Sequence, residues 1–156
     1  GRANGGAPAV AAGPERLTFA WTTGRGVFAR TWRAGAWGPR VRVWAFGASL
    51  PAKGGYDLAA GISPDGTVGL AWAECRTAGC DLLSADARVA LAWAESADGR
   101  SWSARRIVAG TRDPERRIND GPSVVWTGPA ARAVVWDGRA SGYTSYAVFA
   151  SSGTGS

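Results

Sequence analysis

Short apolar bursts alternate with polar or small residues along this chain, and glycine, proline or aspartate closes nearly every burst. Runs of this length with a period near two read as β-strands separated by turns. Three of them share a landmark, an apolar strand ending in Trp with Arg three or four positions later: "LTFAWTTGR" to Arg25, "VGLAWAECR" to Arg76 and "AVVWDGR" to Arg139. Each is preceded by a shorter apolar run and a turn, in "APAVAAGPER", "DLAAGISPDG" and "GPSVVWTGPAA". The Gly-Pro and Pro-Asp-Gly pieces supply the fixed and positive φ values of tight turns, so each unit opens with a hairpin.

A third run follows each landmark, and in two units a Trp-led fourth: "GVFARTW" then "AWGPRVRVWAF", "VALAWAES" then "SWSARRIVA", and "SYAVFASS" alone. The pattern therefore predicts four-stranded antiparallel meanders over residues 6–46 and 57–110, and a third over 119–156 without its outer strand. Val, Leu and Trp mixed with Ala, Arg and Ser fit strands covered on both faces. The second unit has a longer link, "ECRTAGCDLLSADAR"; an insertion of that length is usually functional or stapled.

Composition narrows the function more than the fold. The 156 residues suffice for one core, and 23 glycines with 8 prolines favour turns over long helices. The net charge of +6 comes from 17 arginines and Lys53, spread along the whole chain. Without a basic stripe, nucleic acid is not an expected partner. No run reaches the roughly 18 apolar residues of a membrane span. The lack of Met, even at position 1, is expected of a processed chain or a piece of a longer one. The lack of histidine removes Ser-His-Asp and Cys-His catalysis and most zinc sites, and neither a metal nor a cofactor is expected. Cys75 and Cys80 read as a short disulfide pinning the long link, with two free thiols as the alternative; a disulfide would place the chain in an oxidising compartment, secreted or at the cell surface.

Between the third and fourth runs of the second unit stands Ser96-Ala97-Asp98-Gly99-Arg100-Ser101-Trp102. It resembles the Asp-box turn of the sialidase-like, BNR-repeat β-propellers, roughly S/T-x-D-x-G-x-x-W, with the turn one residue short. "SSGTGS" aligns Ser152 and Gly155 with the same pattern, and "TWRAGAW" keeps Thr31, Gly35 and Trp37. The resemblance implies an all-β propeller fragment of about three four-stranded blades, the last lacking its outer strand. It also implies a structural role for Ser96, Asp98, Gly99 and Trp102. Propellers close with about four to eight blades, so remaining blades or self-association are expected to cover the open faces.

By the same resemblance, ligands meet the loops at the end where the second and third strands join. That end would gather Arg25, Glu74, Arg76, Asp137, Arg139 and Tyr143, with Tyr56, Asp57, Asn119 and Asp120 near the inner strand entrances. Arginine grips carboxylates bidentately and aromatic rings can stack on sugars; the alternative is that these arginines pair with carboxylates between blades. The expected function is an extracellular module binding a glycan or protein ligand. The alternative is part of a sialidase-like glycoside hydrolase. No residue aligns with that family's catalytic positions, so no catalytic role is assigned.

Overall fold

The structure, a computed structural model, describes residues 8–47, 58–75, 89–110, 117–118, 122–126, 131–140 and 143–152. These residues form strands and turns without any helix, the all-β class that the alternation predicts. None of them forms a helix long and apolar enough to cross a membrane. The first sheet contains β1 (Ala9–Gly13), β2 (Arg16–Thr23), β3 (Gly26–Arg33), β4 (Ala36–Trp37) and β5 (Val41–Ala45). The second contains β6 (Leu58–Ile62), β7 (Val68–Cys75), β8 (Val89–Ser96) and β9 (Arg106–Gly110), paired in that order. In the third, β10 (Arg117–Ile118) and β11 (Ser123–Trp126) share one edge of β12 (Ala131–Ala140), and β13 (Tyr143–Ser152) takes the other. Every pairing is antiparallel, and none joins one sheet to another among the described residues.

Local chemistry explains where the strands depart from the expected runs. "AWGPRVRVWAF" is two strands, because Pro39 has no N–H for the ladder and the Gly38 N–H turns back to the Thr31 carbonyl at 2.8 Å. Pairing resumes at β5 with a register shift opposite Val27 and Phe28. The outer strand of the second sheet begins at Arg106 rather than Ser101. Ser103 ties the intervening segment to Glu95, donating its N–H to the Glu95 carbonyl and accepting the Glu95 N–H. In the third sheet β12 runs through Asp137 and Arg139 to Ala140, leaving only residues 141–142 before β13. The short β10 precedes the expected unit altogether.

Face-to-face packing holds the sheets together. Ala11, Ala20, Val27, Ala29 and Phe46 of the first sheet form one buried cluster with Val68, Leu70, Trp72, Ala92 and Ala94 of the second. The alanine-lined face receives the larger side chains opposite, and Trp72 is fully buried. Each large apolar side chain so buried contributes about 1.5–3 kcal/mol. The other face of the second sheet meets β11 so closely that a Cβ on Gly61 would lie 2.7 Å from Val124 Cγ1. Trp93 and Trp126 add a tilted ring pair there, with centroids 6.2 Å apart. The second sheet is thus covered on both sides, unlike a sheet in a two-layer sandwich, and β6 touches both β1 and β11.

The β3–β4 connection is a two-residue hairpin turn with positive φ at both Ala34 (50°) and Gly35 (81°). Glycine adopts that conformation freely, whereas alanine in the left-handed region costs about 1–2 kcal/mol. Asparagine is the preferred residue at the first position of such a turn. Ala34→Asn is therefore expected to stabilise the fold by about 1 kcal/mol, read as a higher urea midpoint at unchanged slope.

Candidate functional site

Two turns at one end of the second sheet are built alike. In the β8–β9 connection the Ser96 hydroxyl donates to Asp98 Oδ1 at 3.0 Å and accepts the Gly99 N–H at 2.8 Å. Asp98 Oδ1 also accepts the N–H groups of Arg100 and Ser101, both at 2.7 Å. In the β6–β7 connection the Ser63 hydroxyl donates to Asp65 Oδ1, and the Thr67 N–H is shared between Ser63 Oγ and Asp65 Oδ1. A serine two residues before an aspartate thus satisfies the donors that a tight turn strips from the ladder. The sequence reading saw Pro64-Asp65-Gly66 only as a turn; the repeated Ser-x-Asp-Gly spacing was the signal for the second copy.

The first sheet reads both turns. Arg16, at the start of β2, donates through one guanidinium nitrogen to the Gly66 carbonyl at 2.8 Å and through the other to the Ala97 carbonyl at 2.7 Å. Beside it the buried Thr18 and Thr31 hydroxyls pair at 3.0 Å. Gly99, with φ of 75°, lies against Thr31, where a Cβ would stand 2.2 Å from the Thr31 hydroxyl oxygen. Trp102 is half-buried and packs against the shared core.

The other end of the sheets was expected to carry the ligand. Arg25 sits in the β2–β3 turn with its side chain exposed, its N–H held by Thr23 Oγ1 and its carbonyl by the Phe46 N–H. Glu74 is buried, and both of its oxygens are engaged: Oε2 accepts the Trp72 indole N–H at 3.0 Å and Oε1 pairs with Arg105. Arg105 in turn lies 4.3 Å from the ring centroid of Trp44, so this trio spans the first and second sheets. Asp137 and Arg139 fall within β12 and Tyr143 opens β13; their side chains, like that of Cys75, lie outside the described residues. Arg76, Cys80, Tyr56, Asp57, Asn119 and Asp120 lie outside them entirely. Among the described residues no group of three or more Cys, Asp or Glu side chains could hold a metal ion.

The sequence reading missed the far face of the first sheet. Because Thr18, Ala20 and Thr22 point inward, Phe19 and Trp21 point outward, as do Phe28, Arg30 and Trp32 on β3. Phe19, Trp21 and Phe28 form a row with successive centroids 5.8 and 6.0 Å apart. Arg30 and Arg40 stand over Trp37 and Phe28 at 5.6 and 5.4 Å. Phe19, Trp32 and Trp37 remain 36, 36 and 46% exposed. A shallow depression of about 540 Å³ lies among Phe19, Trp21, Arg30 and Trp37. A second, of about 340 Å³, runs from Arg33, Trp37 and Gly38 to Asp98 and Arg100. Charge gathers here too: residues 8–47 hold six arginines against one glutamate. The signal was the alternation of arginine and aromatic residues in "VFARTWRAGAW", which composition averaged over the whole chain conceals.

No protein-family model matches the chain, and no curated protein matches it.

Asp98 supplies the pH response. Hydrogen bonds from the Ser101 and Arg100 N–H groups lower its carboxyl from 3.8 to about 2. The Ser63 hydroxyl, then the Thr67 N–H, also lowers that of Asp65. Carboxyls held below their unfolded value stabilise the fold above about pH 4, and the contribution disappears as the pH falls toward about 2. Thermal unfolding midpoints are expected to drop across that window, and Asp98→Asn should flatten part of the drop while lowering the midpoint at pH 7. Gly99→Ala is expected to cost about 2 kcal/mol or more through its positive φ and the Thr31 contact, measured by chemical denaturation.

Proposed function

We propose that the chain is part of an exported β-propeller of the sialidase-like kind, and that it recognises a glycan without cleaving it. Three features support the propeller: consecutive antiparallel sheets, a second sheet covered on both faces, and first strands in contact from one sheet to the next. The twin serine–aspartate turns support the sialidase-like kind. Export rests on the expected pairing of Cys75 with Cys80.

The observation that favours recognition over hydrolysis is the state of Glu74. A hydrolase of the sialidase-like kind needs a glutamate free to activate a tyrosine. Here both carboxylate oxygens are committed to Trp72 and Arg105 within the second sheet, and Arg105 carries the contact on to Trp44 of the first. Arg105 stays partly exposed while Glu74 is buried, so loss of Arg105 leaves a buried carboxylate short of a partner, and the first-order role of Glu74 is architectural. The cleft that Arg33 and Trp37 form with Asp98 and Arg100 instead supplies the apolar and polar contacts that ligand sites combine.

In this reading the outward row of Phe19, Trp21 and Phe28 is covered by a further sheet, because an exposed apolar row of this kind marks an interaction surface. Light scattering on the 156-residue chain is expected to give a mass above the monomer, and Phe19→Ser with Trp21→Ser should return it toward the monomer. A glycan array is expected to register binding, while a panel of fluorogenic glycosides shows no turnover. Turnover abolished by Tyr143→Phe or Glu74→Gln, in variants that keep their melting temperature, would replace recognition with hydrolysis.

A further inference from the structure

We propose that the cleft between the β3–β4 hairpin and the Asp98 turn is a binding site for an acidic saccharide unit, a hexuronate ring. It lies at the opposite end of the sheets from Arg25 and Glu74, and its lining among the described residues comes from the first two sheets. Its volume, about 340 Å³, is at the lower end of the roughly 300–1,000 Å³ of small-molecule sites.

The lining supplies one contact for each part of such a ring. Arg33 and Arg100 enter from different sheets, and neither has an ion-pair partner among the described residues. Two guanidinium groups suit a carboxylate, which each can meet with paired N–H donors. Asp98 accepts the three donors of its own turn on Oδ1, and an exposed carboxylate with about four lone-pair sites retains capacity for a ring hydroxyl. Trp37, 46% exposed, offers an indole surface to the C–H face of the sugar. The carbonyl of Gly38 is already taken by the Arg30 Nε at 2.8 Å, which anchors the turn beside that indole.

Competing ligands leave part of this set unused. A neutral sugar leaves both cations without a counter-charge. A simple carboxylate uses the arginines but neither Trp37 nor Asp98. A nucleic acid strand brings phosphates against the Asp98 carboxylate.

The inference rests on the glycan-recognition reading and assigns its place and charge. Titration of the full chain with methyl β-glucuronide, followed by saturation-transfer NMR and calorimetry, tests it. Saturable binding is expected, with methyl β-glucoside weaker by about tenfold or more for want of the charged hydrogen bonds, and acetate weaker by about tenfold or more for want of the Trp37 and Asp98 contacts. Arg33→Ala, Arg100→Ala and Trp37→Ala change exposed side chains and should melt close to the parent, yet each should weaken glucuronide binding by about tenfold. If the chain binds arrayed glycans but these variants bind glucuronide as the parent does, the cleft assignment is overturned and recognition stands. Equal binding of glucoside and glucuronide overturns the acidic assignment. Absence of binding to any saccharide overturns both.

Discussion

The stacking of one sheet on the next depends on a mismatch in side-chain size. Ala11, Ala20 and Ala29 present a nearly flat surface, and Trp72 and Leu70 fill the space this leaves. The interface with the third sheet uses the same device in reverse, with Gly61 giving way to Val124 and Trp126. Close packing of this sort tolerates little change in volume, so the spacing between sheets is set by where the chain places its smallest residues. The stacking of Arg105 on Trp44 is possible only because that spacing brings them within reach.

Strand positions were legible in the sequence because period-two alternation and turn residues are local signals. The Trp-anchored runs, the Asp98 turn and the long β7–β8 link all follow from neighbouring residues. What local pattern does not carry is which face meets which sheet. The outward aromatic row of Phe19, Trp21 and Phe28 looks in sequence like any doubly covered strand, since both faces of β2 are apolar or small. The engagement of Glu74 depends on Arg105, far along the chain, and on a rotamer of Trp72. The split at Gly38-Pro39 was readable from proline's missing donor, yet the flanking apolar residues mask it. Of the residues picked out as a site, Arg25 and Glu74 stand apart in character, one a solvent-facing turn residue and the other a buried structural carboxylate. The cleft residues Arg33, Trp37 and Arg100 come from two sheets, and no spacing rule brings them together.

Charge divides unevenly over this frame. The first sheet is strongly basic, whereas the second carries the aspartates of both turns and the buried Glu74. Cations bridge the two from both sides: Arg16 of the first sheet on carbonyl oxygens of the second, and Arg105, paired with Glu74 of its own sheet, on the Trp44 indole of the first. A cation that stacks on an aromatic ring while pairing with an acid gains from both at once.

Apolar faces attract without regard to direction, so two sheets held by them alone can slide past each other by a residue at small cost. Arg16 removes that freedom. Its fork touches carbonyls on two different loops of the neighbour, and hydrogen bonds weaken steeply with misalignment. A shift along the strands, or a rotation of one layer over the other, breaks one bond or both. The residue serves as a locating pin, giving a greasy interface a single alignment.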